Sequence, residues 1–587
     1  MNFFDATLSY LVELKKYKAH LFSITLELKS PQRDQLFSMP LWAPGSYMIR
    51  EFAQHIVSIE AFSKDDKLNI YKINKNTYRV EGLHEKISIR YEVYGFDSSI
   101  RAAYIDDRQA FFNGTSLFLR PHGFSDSPCT LILKKPKDFK DYNVATTLSA
   151  VNIDNNGFGL YLASDYETLV DHPVQIGTFK KLFFDVLGIP HEIILVGSVP
   201  HFDEKRLSSD LFKLCQRIAS LFDGFRPFTH YLFIARFEER AHGGLEHRNS
   251  SVMLSSPYSL PSEGMQEPSL AYRNFLSLAA HEYFHAWNVK WLRPKDISPY
   301  NFDAECYTNM LWAFEGITSY YDDLLVKKAG LISEQTYFEI LAKNITQYFH
   351  TPGRKVQSLS ESSFDAWIKH YHPNENSLNS SISYYQKGAL LGLCLDLFIR
   401  LRHDGKISLD HIMRSLMQKF GGKSGISEEE WFSVVADMSS METSAFLRRS
   451  VYGLDDLPIK ELLEEMGLSI TFAKEDDPLN KIRAIFGLNI HFDGHKHAII
   501  SFVENESPGM DSAISPGDEL IAIDEIRIDE KNALDLCCFL SEKSSYSLLL
   551  ARKKRIYKTE IKAREPLTKI AKISIKEDST LIKDWLS

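Results

Sequence analysis

The stretch Phe275–Pro294, FLSLAAHEYFHAWNVKWLRP, carries His281-Glu282-Tyr283-Phe284-His285 inside an otherwise apolar run. Its apolar positions recur at helical spacing, which predicts a helix stopped by Pro294. On a helix, residues i and i+4 share a face, so both imidazoles can reach one metal ion. Glu282 then stands beside that ion, placed to take a proton from a metal-bound water. Two histidines and a glutamate buried on such a helix need compensation. A metal supplies it, and ordinary hydrogen bonds are the alternative.

A second apolar segment follows, LWAFEGITSYY (Leu311–Tyr321), with Glu315 as its acidic residue. Catalytic zinc takes three protein ligands and a water, and two His with one Glu is a standard set. Asp322 lies two helical turns past Glu315 and so shares its face. It is either an acceptor for the second ring N–H of a ligand histidine or a solvated charge. Ser383-Tyr384-Tyr385-Gln386-Lys387-Gly388 opens a third apolar helix. A tyrosine hydroxyl near a metal can stabilise the charge that builds on an attacked carbonyl, although tyrosines also start helices as packing residues.

Outward from these helices the character of the chain changes in both directions. Residues 1–170 are β-rich: HLFSITLEL, KISIRYEVYGF and CTLILKK alternate or carry β-branched and aromatic residues between turn-formers. From about residue 475 short strands return, as in AIFGLNIHF and ELIAIDEIRI. The length of 587 residues exceeds one hydrophobic core and predicts three or four domains. With 44% hydrophobic and 25% charged residues the composition is that of a globular protein. A net charge of −9 argues against a nucleic-acid footprint or a basic membrane-binding face. The best apolar run, ALLGLCLDLFI from Ala389, contains Asp396 and is too short to cross a bilayer. Six scattered cysteines without metal-site spacing, and a start lacking a secretory pattern, predict reduced thiols in a cytoplasmic protein with no membrane anchor.

HEYFHAWN, LWAFEG and YYQKG together resemble the gluzincin aminopeptidases, whose aminopeptidase N branch carries H-E-x-x-H, W-x-x-E-G and Y-x-K-G. The whole chain resembles more closely the glycyl aminopeptidase family of PDZ-containing gluzincin zinc metallopeptidases. LWAPGSYMIREF (Leu41–Phe52), GGLEHRNS (Gly243–Ser250) and HEYFHAWNVKWLRP (His281–Pro294) carry that closer match. The resemblance implies a multidomain α+β fold. It comprises an N-terminal β-sandwich-like domain (1–170), a thermolysin-like, mainly α catalytic domain (171–400), a helical extension (401–474), a PDZ-like domain (475–565) and a C-terminal tail (566–587). It implies one Zn2+ per chain on His281, His285 and Glu315, with Glu282 as general base and Tyr385 as oxyanion donor. It implies peptide substrates with a free N-terminus, small first residues such as Gly or Ala being favoured.

In the aminopeptidase N branch a G-x-M-E-N strand grips the substrate's ammonium. Gly243-Gly244-Leu245-Glu246-His247 replaces its Met and Asn. An extended peptide can add to such a strand, and a carboxylate at its end selects a charged N-terminus. The alternative is a turn whose glutamate caps a helix. Near the C-terminus, Phe486–Ile490 resembles the amide loop of PDZ domains that cradles a carboxylate. Ser507-Pro508-Gly509 and Ser515–Leu520 resemble the S-P-A and L-x-P-G-D-x-I runs. This module either binds peptide ends or packs against the rest, and packing is the preferred reading. Two rival functions remain: a zinc endopeptidase with the same site, and a non-catalytic peptide-binding scaffold. The oligomeric state and the physiological peptide stay open.

Overall fold

The computed structural model describes all residues except 1–5, 140, 475–476, 543, 567–568 and 578. The chain divides into two units, one of residues 1–308, 321–332 and 413–431, the other of residues 309–320, 333–412 and 432–587.

In the first unit, alternation builds the N-terminal β region. Strands Leu8–Lys16 and Leu21–Lys29 turn Tyr10, Val12, Phe22, Ile24 and Leu26 inward and the residues between them outward. They pair antiparallel with Tyr10 opposite Leu26. Both lie inside an eight-stranded sheet that runs from Ser149–Ile153 at one edge to Asp66–Leu68 at the other. Two four-stranded sheets complete this region around one apolar cluster. Each such side chain removed from water is worth about 1.5–3 kcal/mol, so the inward stripe rather than the hydrogen-bonded ladder drives assembly.

The same unit holds a five-stranded sheet in the order Lys180–Val186, Ile189–Val196, Tyr231–Phe237, Ser250–Ser255, Gly243–Glu246. Tyr231–Phe237, parallel to both neighbours, is buried at every position. Gly243–Glu246 is the edge strand, antiparallel to Ser250–Ser255. Helix Leu270–Phe284 packs against these last two strands. Ser269 caps it, the Oγ accepting from the Tyr272 N–H. The spacing predicts a helix as far as Pro294, but it ends at Phe284. Helical carbonyls point along the axis toward the C-terminus. Leaving the helix lets the Asn288 carbonyl turn back onto His285 Nδ1 at 2.8 Å. Val289 stands at φ 152° just after it, an uncommon angle for a β-branched residue.

In the second unit, Trp312–Gly316 is a π-turn leading into the helix that begins at Ile317. Helix Tyr384–Arg402 approaches so closely that a Cβ on Gly316 would come within 2.6 Å of Gly388 Cα. Glycine at both positions lets the two backbones touch. Asp396, the charge inside the apolar run, is fully buried and satisfied. It accepts from Tyr320 Oη at 2.6 Å, Arg400 Nε at 3.1 Å and the Leu409 N–H at 2.8 Å.

Strands Leu488–Phe492, Ala498–Val503, Glu519–Ile523, Ser545–Arg552 and Arg555–Lys562 form the path of a further sheet, with its own apolar cluster. Gly487, at φ 74°, closes the helix before it by donating its N–H to the Arg483 carbonyl at 2.9 Å. One amide of the expected carboxylate-cradling loop therefore serves as a helix cap. Asn379 holds this module to the helices, its Nδ2 donating to the Val503 carbonyl at 2.9 Å and its Oδ1 accepting from the Asn505 N–H at 3.0 Å.

The segment 566–587, expected as a tail, contains strand Ile570–Ile575, paired with Leu468–Ala473, and helix Thr580–Leu586. Trp585 there is fully buried. Mostly polar surroundings hide that anchor in the sequence. Among the described residues no helix is long and apolar enough to cross a membrane. The cysteines are free, five buried and Cys538 exposed.

Candidate metal centre

His281 Nδ1 faces Asp322 Oδ2 at 3.1 Å, and His285 Nδ1 faces the Asn288 carbonyl. An acceptor against each Nδ1 places the ring protons there and leaves each Nε2 with a lone pair. The two Nε2 atoms face each other at 3.0 Å, an arrangement suited to a shared cation. One ligand atom from each of His281, His285 and Glu315 lies within 4.8 Å of the others. Two imidazoles and one carboxylate, with both imidazoles oriented from behind, are a donor set that fits zinc. Burial pushes the Asp322 carboxyl up while the His281 hydrogen bond opposes it. Asp323 is pushed up to about 7 by burial and then by the Asp322 charge.

Glu282 is buried, and its carboxylate lies against the edge strand. A Cβ added to Gly244 would sit 1.9 Å from Glu282 Oε1. Glu246 follows two residues later and so faces the same side of the sheet. It is buried too, with its carboxylate over Gly45 of the LWAPGSYM loop. A Cβ there would come within 2.5 Å of both carboxylate oxygens. Gly45 also stands at φ 89°, so only glycine serves on either count. Glu246 thus sits at the end of an edge strand, packed on a loop rather than at a helix start. Arg101 Nη2 donates to the Gly244 carbonyl at 3.2 Å.

Behind Glu246, the Lys290 ammonium pairs with Asp171 at 2.9 Å. Burial works against its charge, but Asp171, with help from Glu246, holds it above the ordinary lysine range. Gly45 and Lys290 lie within the LWAPGSYMIREF and HEYFHAWNVKWLRP stretches, but no spacing there marks either as a site residue.

Tyr385 lies half-buried in the first turn of helix Tyr384–Arg402, whereas Tyr384 is fully buried. That difference favours Tyr385 as a hydroxyl a substrate could meet. His370 packs on both, with ring centroids 4.9 Å from Tyr384 and 5.5 Å from Tyr385. It is also within electrostatic reach of Glu315. The sequence around it, Lys369-His370-Tyr371-His372, shows no ligand spacing that marks it.

Residues 9–178 match the Peptidase M61 N-terminal domain, and residues 274–391 match the M61 glycyl aminopeptidase domain. Among solved structures, the aminopeptidase N family protein from Idiomarina loihiensis is 32% identical. That match covers 99% of this chain and 100% of that one, with a TM-score of 0.94. A mutant M1 zinc metallopeptidase from Deinococcus radiodurans, bound to a Tyr-Ser-Ala substrate, is 15% identical. It covers 78% of this chain and 95% of its own, with a TM-score of 0.47. Legionella pneumophila aminopeptidase A in complex with aspartic acid is 12% identical, covering 76% of this chain and 49% of its own, with a TM-score of 0.49. A comparison with curated proteins finds no match. From the two domain matches and the likeness to the Idiomarina loihiensis protein, the chain belongs to the M61 glycyl aminopeptidase family and is a peptide hydrolase.

Proposed function

We propose that this chain is a zinc-dependent aminopeptidase that removes the N-terminal residue of peptides, with small residues such as Gly or Ala favoured. The observation that carries the reading is the gathering of His281, His285 and Glu315 ligand atoms within 4.8 Å. Beside it, Glu282 lies against the edge strand that ends in Glu246. When bound there, zinc lowers the pKa of a ligated water and polarises the scissile carbonyl.

The chain's own residues do the rest. Glu282 accepts a proton from the attacking water and returns it to the leaving amine. The edge Gly243–Glu246 pairs with an extended peptide, and Glu246 holds the substrate ammonium by a charge-assisted hydrogen bond. Tyr385 donates to the carbonyl oxygen as charge builds on it. Gly45, packed onto Glu246, is a wall beside the amine that suits a small first side chain. In the same reading one Zn2+ serves each chain, in a cytoplasmic protein. The five-stranded sheet and its helices are thermolysin-like, and the C-terminal sheet is PDZ-like and packs rather than captures peptide ends.

The test is the ratio of kcat/KM for one peptide with a free and with an acetylated N-terminus. A buried carboxylate left without its ammonium costs about 1–3 kcal/mol, so the free peptide should be preferred by roughly 5- to 150-fold. Equal cleavage of both overturns the aminopeptidase reading and points to an endopeptidase with the same metal site.

A further inference from the structure

The second unit contains a cleft of about 470 Å³ lined by none of the residues assigned above to the metal centre. Helix Glu334–Phe349 lines one side, and Asn480, Arg483 and Ala484 with Arg564, Lys569 and Ile570 line the other. Arg483, Arg564, Lys569 and Lys343 face into it against, among the described residues, a single carboxylate, Glu504. Arg564 Nη2 donates to Glu504 Oε2 at 2.8 Å, and Lys569 Nζ lies 3.9 Å from the other oxygen. Glu504 is thus engaged by two cations while two remain. Arg483 donates to the His350 carbonyl and lies over the Phe502 ring at 5.4 Å. Among the described residues, neither Arg483 nor Lys343 has a carboxylate at ion-pair distance.

The crowding leaves a mark on the neighbours. Burial, then Arg483 and Lys569, push the His350 imidazole down to about 4. The Lys569 ammonium is lowered by burial; Glu504 opposes the shift, and Arg354, Arg564 and Arg483 add to it. A concave surface walled by protein and holding surplus positive charge concentrates anions. Guanidinium forks match the geometry of oxyanions two donors at a time.

We propose that this cleft binds a compact dianion through Arg483, Arg564 and Lys569, the chemistry shared by a phosphate group and a short dicarboxylate. Four cations against one carboxylate leave a surplus of positive charge that a ligand with two negative charges offsets better than one with a single charge. The site is built where the C-terminal sheet is hydrogen-bonded to the helices through Asn379, so its occupant would also bridge those elements.

Titration calorimetry on the full chain tests this, with inorganic phosphate and separately with succinate, ionic strength being held constant with sodium chloride. Saturable binding of at least one is expected. It should weaken at least tenfold in the double variant Arg483→Gln/Lys569→Gln, since hydrogen bonds to charged groups are lost. It should tighten several-fold in Glu504→Gln, which removes the competing carboxylate. Binding of phosphate alone or of succinate alone identifies the source of the dianion. If the double variant does not fold, Lys569→Gln alone, at a half-buried position, must weaken binding. No saturable binding of either anion, or affinities unmoved by these substitutions, overturns the proposal.

Discussion

Glu282 and Gly244 leave no space for a single carbon between them, and this contact defines what each residue contributes. Glu282→Gln preserves shape and the three proposed ligands but removes the proton acceptor. It should therefore keep stoichiometric zinc while losing turnover by at least 10²-fold; metal analysis alongside a rate assay checks this, and a near-normal rate would move the base elsewhere. The proposed ligands separate from their support in the same way. Glu315→Ala should abolish retention of zinc during dialysis against a mild chelator. Asp322→Ala, which only unties His281 Nδ1, should weaken zinc by about 10- to 100-fold. If the two variants retain metal equally, Glu315 is not a ligand.

At the scale of elements, the π-turn Trp312–Gly316 and the helix Tyr384–Arg402 are held by a contact between glycines. A Cβ on Gly388 would stand 2.8 Å from Gly316 Cα and 3.1 Å from the Trp312 carbonyl. Gly388→Ala should push the turn that carries Glu315 aside. The expected cost is about 1–3 kcal/mol of stability, with a weaker grip on zinc read by competition with a chromogenic chelator. Gly494→Ala, with nothing within 4 Å, is the control and should change neither. How much of this was legible follows from the same elements. Spacing alone brings His281 and His285 to one helical face with Glu282 beside it, and the alternation in Leu8–Lys16 and Leu21–Lys29 announces their sheet. The end of the helix at Phe284 was not legible, because it depends on the Asn288 carbonyl meeting a ring from its own chain reversal. Nor was the seat of Glu246 on Gly45, a contact between segments distant in sequence whose glycine serves through what it lacks. Local patterns report a residue's own helix or strand. They are silent on close approaches between elements.

For the chain as a whole, residues far apart in sequence fix one another, and Trp585 is the clearest case in the second unit. Its Nε1 donates to Tyr320 Oη at 3.0 Å, and that hydroxyl in turn donates to the buried Asp396 carboxylate at 2.6 Å. Tyr320 lies one helical turn past the π-turn that bears Glu315. The indole therefore fills a core position and completes a relay of hydrogen bonds that lets Asp396 stay buried. Two substitutions separate these contributions. Trp585→Phe keeps most of the packing and removes the N–H. Its cost should be that of one net hydrogen bond, about 0.5–1.5 kcal/mol. Trp585→Ala also opens a cavity, for which about 3–5 kcal/mol is the usual range. Calorimetric melting of the zinc-loaded chain should therefore show a small drop for the phenylalanine variant and a large one for the alanine variant. The large drop should fall in the transition to which the helix Tyr384–Arg402 belongs. Deleting residues 580–587 should cost more than the alanine variant, since it also removes the buried side chains of Ile582 and Leu586. Melting curves indistinguishable from wild type for the deletion would mean that the last helix is an appendage, and that Tyr320 and Asp396 hold their places without it.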